Sequence, residues 1–201
     1  MNILFAAAEI APLTKVGGLA DVVRSLPAEL IKAGHDVRVI VPQYGFLDFS
    51  SYRSQQASPE FFVLSLGEYH RTRVSLIQIE GIPVYLLNSD VMARTPSVYG
   101  EDEIGKFFIF CQSVVEAITR LSWQPEIIHC HDWHASLIPL FMRRAGMTKG
   151  TLLTIHNVRY QGNFDEPFLY KTGLHYSWLA SVSGAPYIPL NFLSWVCYGR
   201  T

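Results

Sequence analysis

Residues 1–42 read MNILFAAAEIAPLTKVGGLADVVRSLPAELIKAGHDVRVIVP, and their order of patterns decides the fold. Residues 3–8 are an uninterrupted apolar run, the mark of a parallel strand covered on both faces. After Gly17-Gly18 the apolar residues Leu19, Val22, Val23, Leu26 and Leu30 recur at three- and four-residue spacing, which predicts a helix. Pro27 falls inside that pattern and is expected to kink or divide the helix. Gly34 is a natural stop, and Asp36 to Pro42 reads as the next strand. Strand, helix and strand in so short a span make a βαβ unit.

Outward from that unit the periodicity changes. Phe61 to Leu66, Arg73 to Ile79 and Val84 to Leu87 are short β-prone runs separated by Gly67-Glu68 and Gly81, and predict a β-meander inserted in or extending the sheet. A polar loop is expected over 88–103. Beyond it Ile104, Phe107, Phe108, Cys111, Val114, Val115, Ile118 and Leu121 share one helical face. Glu126 to Cys130 reads as a strand, 134–144 as a helix and 151–155 as a strand, giving a second βαβ unit. The expectation is a single α/β domain over 1–201: a doubly wound, mainly parallel, Rossmann-like sheet carrying a β-meander.

Hydrophobic residues make up 49% of the chain and charged residues 16%, the balance of a packed globular protein. A formal net charge of −1 gives neither a nucleic-acid footprint nor a membrane-surface patch. No apolar run approaches the roughly 20 residues that span a bilayer. The apolar start has no basic flank and meets Glu9 early, so it reads as a buried strand and not as a signal peptide. The three cysteines, Cys111, Cys130 and Cys197, are odd in number and widely spaced, which suits reduced thiols. The expected setting is the cytoplasm, or the plastid stroma for a plant protein whose transit peptide has been removed.

In open α/β sheets ligands bind at the carboxyl ends of the strands, and three polar clusters fall there. In Lys15-Val16-Gly17-Gly18-Leu19-Ala20-Asp21, paired glycines at a helix start allow close backbone approach, and the helix dipole and Lys15 favour an anion. A structural turn with a solvated lysine is the plainer alternative. The cluster matches neither the dinucleotide fingerprint nor a P-loop. In His129-Cys130-His131-Asp132-Trp133-His134, alternation along a strand puts Cys130 on the opposite face from His129 and His131, and no second ligand pair has zinc-like spacing, so no metal is expected. Asp132 can accept from sugar hydroxyls while Trp133 stacks on a ring's C–H face, or the group can simply brace a strand-to-helix turn. In Thr154-Ile155-His156-Asn157 with Tyr160-Gln161-Gly162, the His-Asn pair can bond a polyol from two directions, or His156 can be a satisfied core or cap residue.

Taken in this order, with Glu9 as the opening signature residue, the clusters closely resemble bacterial glycogen synthases and plant starch synthases, and the resemblance covers nearly the whole chain, to about residue 190. It implies the amino-terminal, acceptor-side half of a two-lobed GT-B glycosyltransferase that transfers glucose, with retention, from ADP-glucose to the non-reducing end of an α-1,4-glucan. It implies that Lys15, Gly17 and Gly18 face the donor diphosphate and that Asp21 orders their loop. By the same resemblance His156 bonds the transferred glucose with support from Asn157, and Asp132, Trp133 and Tyr99 shape the acceptor side. Asp132, His156 and Asn157 are thus the candidate catalytic group. No cofactor beyond the nucleotide-sugar is implied, no nucleic acid or membrane partner, and pairing with a carboxyl-terminal donor domain is.

Family members are more than twice as long, and their second lobe carries most nucleotide contacts. Those motifs do not occur in these 201 residues, and residues 192–201 depart from the sequence that leads into that lobe. The chain alone is therefore expected to be inactive or nearly so. A non-catalytic glucan-binding or regulatory protein is the rival reading, and a nucleotide-dependent oxidoreductase is disfavoured by the missing glycine fingerprint.

Overall fold

The computed structural model describes residues 1–100, 102–174 and 189–198, with side chains in the last stretch to Trp195. The parallel core of the sheet runs β6 (Ile82–Ser89), β2 (Asp36–Pro42), β1 (Asn2–Ala6), β7 (Ile127–His131) and β8 (Gly150–Thr154). An antiparallel extension adds β5 (Glu68–Ile79) beside β6, with β3 (Gln55–Gln56) and β4 (Phe61–Ser65) paired to β5. The expected meander is thus the continuation of one sheet edge. Its two hairpins turn on two residues each, Leu66-Gly67 and Glu80-Gly81, all four at positive φ between 49° and 85°. That is the left-handed pair whose twist matches the flanking strands, and it explains a glycine at each second position.

Helices cover both faces. On one, Ile3 and Phe5 of β1 and Ala7 just beyond it, with Val37, Val39 and Val41 of β2, pack against Leu19 and Val23 of α1 (Gly18–Lys32). On the other, Leu4, Ala6, Ile128 and Cys130 pack beneath α3 (Glu103–Ile118) and α5 (Ile138–Arg144). Alternate residues of each parallel strand thus serve opposite layers. Cys111 and Cys130 are free and buried, and the Cys197 side chain lies outside the described residues. Among the described residues, no helix is long and apolar enough to cross a membrane.

Three local expectations are corrected. Pro27 does not divide α1: the helix runs through it with Val23 and Pro27 both buried, so packing of the apolar face offsets the one missing backbone bond. The loop over 88–103 is shorter than expected, because β6 continues to Ser89 and α2 (Asp90–Arg94) follows, capped by the Ser89 hydroxyl accepting from Met92 N. The helix expected over 134–144 is two helices, α4 (Asp132–Ala135) and α5. Pro139 has no N–H to give to the preceding turn and sits instead in the first turn of α5, where none is needed. In the remaining described chain, α6 (Glu166–Thr172) and α7 (Phe192–Tyr198) follow, with Phe192 and Trp195 in the core.

Helix α3 is buried almost all round, and Lys106 goes under with it at 2% exposure. Its Nζ donates to Val98 O at 2.7 Å and Ser97 O at 3.2 Å, and lies 5.2 Å from the Phe107 ring. Desolvation lowers its pKa. The lysine fixes the residues just before Tyr99.

Imidazoles fill the carboxyl end of β7. His131 is fully buried with its ring 5.2 Å from Phe5 and 4.2 Å from His129, and His134 packs edge-on to Phe107 at 4.6 Å. Burial pushes both pKa values down to about 3, with the neighbouring imidazoles adding to the effect at His131 and Lys106 at His134. An unfolded imidazole titrates near 6.5, so each histidine contributes stability that is complete above that pH and is lost as pH falls from there toward 3. At about pH 5 the loss reaches up to about 2 kcal/mol per histidine. Urea unfolding midpoints should therefore drop between about pH 7.5 and pH 5, and a His134→Gln variant should show a flatter drop. An unchanged slope in that variant would remove His134 from the account.

Candidate active-site cleft

Because β1, β7 and β8 are parallel neighbours, their carboxyl ends lie on one sheet edge, and the three polar clusters meet there. They enclose a cleft of about 740 Å³ lined by residues from all three, among them Glu9, Gly17, Gly18, Asp132, His156 and Tyr160, with Tyr99 and Glu103 from the preceding loop and α3.

Glu9 organises the first cluster. Its Oε2 accepts from Val16 N at 2.6 Å and Gly17 N at 3.1 Å, and its Oε1 accepts from the Tyr99 hydroxyl. Burial, followed by this bond to a carboxylate, raises the pKa of Tyr99, so the phenol stays a donor. Gly17 is the N-cap of α1 and gives no side-chain cap bond, so among the described residues the first-turn amides at the cleft wall have no side-chain acceptor. Lys15 and Asp21 pair with each other at 2.8 Å, both about half exposed, outside the cleft lining. Sequence reasoning noted Glu9 only as a signature residue. Its place directly after a buried strand and before a glycine pair was the available signal.

Asp132 organises the other two. It stands at φ 57°, a left-handed conformation that Asp tolerates better than most residues. Its Oδ1 accepts from His156 N at 2.7 Å and Asn157 N at 3.3 Å, tying the β8 exit to the β7 exit. One of the two oxygens expected to serve a sugar is therefore committed to backbone. Asn157 turns its own Oδ1 to Arg159 N at 3.0 Å, which shapes the loop toward Tyr160.

Trp133 lines the cleft but is only 4% exposed, so it is a wall and not an open stacking platform. Phe107 meets it edge-on at 5.2 Å, and a Cβ on Gly162 would come within 2.4 Å of its Cε3, which accounts for glycine there at φ 68°. The open aromatic of the cleft is Tyr160, 62% exposed. Among the described residues no group of three or more His, Cys, Asp or Glu is disposed to hold a metal ion.

Among the described residues the cleft wall carries three carboxylates, Glu9, Glu103 and Asp132, and no lysine or arginine. Such a lining accepts hydroxyl donors readily. For an anion it offers the α1 amides and neutral side-chain donors such as Asn157 and Tyr160, with Lys15 outside the lining.

The chain matches the family described as starch synthase catalytic domain over residues 2–197, which carries the match past residue 190 and into α7. Glycogen synthase of Gloeobacter violaceus is 44% identical over 163 residues, covering 81% of this chain and 34% of that protein. Glycogen synthase 2 of Geobacter sulfurreducens is 36% identical over 186 residues, covering 87% and 38%. Among solved structures, the catalytic domain of starch synthase IV from Arabidopsis thaliana, bound to ADP and acarbose, superposes with a TM-score of 0.79 at 28% identity, over 89% of this chain and 38% of that one. The chain thus spans little more than a third of the length of these relatives. Matched from one end to the other, it belongs to the glycogen and starch synthase family.

Proposed function

We propose that the chain is the acceptor-side, amino-terminal lobe of a glucosyltransferase that moves glucose from ADP-glucose, with retention, onto the non-reducing end of an α-1,4-glucan. The observation that carries the reading is the convergence of Glu9, the α1 amino terminus, Asp132 and His156 on one cleft at the carboxyl edge of a parallel sheet. The Arabidopsis neighbour, bound to ADP and acarbose, supports this reading.

On this reading the first-turn amides of α1, around Gly18, and Lys15 face the donor diphosphate as its negative charge grows. Asp21 keeps Lys15 in place. His156, held by Asp132 through its backbone amide, bonds the transferred glucose, and Asn157 shapes the loop beside it. Tyr99, Trp133, the free oxygen of Asp132 and the exposed Tyr160 shape the glucan side. No cofactor beyond the nucleotide-sugar is needed, and the partner is a carboxyl-terminal donor lobe that supplies the cations missing among the described residues of the cleft wall. The cytoplasm, or the plastid stroma in a plant, is the matching location.

The lack of lysine and arginine among the described residues of the cleft wall also suits the rival, a glucan-binding protein without transferase activity. Transfer of labelled glucose from ADP-glucose onto glycogen separates the two. For the chain alone the rate should fall at least about 100-fold below a full-length relative, since loss of a single charge-stabilising contact already costs that much. A separately expressed donor lobe should restore transfer. Glycogen affinity that stays without transfer after the lobe is added would establish the rival, and full turnover by the chain alone would overturn the division of labour. A Glu9→Gln change loses the charged acceptor of three hydrogen bonds. It should cost about 1–3 kcal/mol of stability and speed hydrogen exchange at Val16 and Gly17, whereas unchanged exchange there would remove Glu9 from its organising role.

A further inference from the structure

His131 plays no part in the reading above, yet its ring is joined to the one imidazole placed at the sugar. Its Nδ1 lies 3.0 Å from Nε2 of His156, and the two rings are parallel within 9° at a centroid distance of 5.3 Å. The contact follows from the register: His131 is opposite Thr154 across the parallel pair, and His156 follows two residues on, its amide held by Asp132. His129 is occupied elsewhere, with its Nε2 2.7 Å from the Thr154 hydroxyl. His156 itself is exposed at the cleft wall.

Two nitrogens 3.0 Å apart need one proton between them, and the rest of the His131 ring decides which carries it. Its Nε2 is buried and, among the described residues, has no partner. If the His131 proton sits on Nδ1, it donates to His156, and the orphan is a lone pair. If it sits on Nε2, the orphan is a buried N–H, the rarer and less tolerated arrangement. The fully buried, neutral ring therefore donates through Nδ1. His156 Nε2 is then an acceptor, and in the neutral ring the proton must be on Nδ1.

We propose that His131 is a positioning residue that fixes His156 as its Nδ1–H tautomer, so that the imidazole meets a ligand oxygen in the cleft as a hydrogen-bond donor. The ligand class is a hydroxyl of a sugar ring, and this part rests on the glucosyl reading of the cleft. A donor there polarises a hydroxyl oxygen and disfavours a cationic group in its place. Such second contacts set a histidine's tautomer wherever only one of its nitrogens is left to a ligand.

Long-range proton–nitrogen correlation spectra of the 201-residue chain, labelled with ¹⁵N-histidine, read the tautomer directly and need no activity. His156 is assigned by the signals lost in His156→Gln. At about pH 8, above the ordinary imidazole range, His156 should show a protonated Nδ1 and an unprotonated Nε2. His131→Asn keeps a donor near the same place and should preserve that pattern. His131→Phe keeps a ring without a donor and should shift His156 to the Nε2–H form that imidazole side chains prefer in water. An Nε2–H signal for His156 in the unaltered chain overturns the proposal, and so does an Nδ1–H form that survives in a folded His131→Phe chain. If the Phe variant does not fold, the unaltered spectrum decides alone. Titration with maltooligosaccharide should then perturb the His156 Nδ1 signal. A correct tautomer with no perturbation overturns the sugar as its ligand and counts against the glucosyl reading, while the wrong tautomer leaves that reading standing.

Discussion

The carboxylate of Glu9 is the interaction on which the cleft depends. It leaves the central strand and gathers two backbone amides of the loop before α1 together with the hydroxyl of Tyr99. Buried and surrounded by donors, it meets the condition under which an ionised side chain is tolerated inside a protein. Without it, the loop that brings the α1 amino terminus to the cleft would have two unpaired amides, and Tyr99 a buried hydroxyl with no acceptor. Lys106 fixes the same wall from the other side through the carbonyls of Ser97 and Val98. Two buried charges thus position one loop from opposite ends.

Asp132 does for the second wall what Glu9 does for the first. With one oxygen on the amides of His156 and Asn157, it joins strands β7 and β8 beyond the end of their ladder. This shifts its role from a free sugar acceptor toward a clamp with one oxygen to spare. Trp133 undergoes a similar change, since close packing by Phe107 and Gly162 leaves it an edge and gives the exposed aromatic position to Tyr160. The charge of the cleft also becomes intelligible. Its acids are partly consumed in holding the frame, and among the described residues the wall has no lysine or arginine, which is consistent with the proposed division between two lobes.

Much of this was legible before any coordinates. The apolar run over 3–8, the three- and four-residue spacing from Leu19 to Leu30 and the strand from Asp36 gave the βαβ unit, because a strand covered on both faces and an amphipathic helix leave unmistakable periods. The carboxyl-end rule then located all three clusters on one edge. One boundary failed where a single residue outweighed the pattern: Pro139 split the helix expected over 134–144. At Pro27, where a kink or a division was open, the apolar face of α1 carried the helix through undivided.

The sequence by itself determined the layered α/β fold, the sheet edge at which the three clusters gather and the residues of those clusters, since all of these follow from local period and strand direction. The tertiary structure decided which polar atom meets which. Glu9 and Tyr99 are 90 residues apart, and His131 and His156 are 25 apart. The physical reason is that a hydrogen bond needs its two atoms within a few tenths of an ångström of one distance, and strand register together with side-chain burial sets that distance, while a linear pattern carries neither.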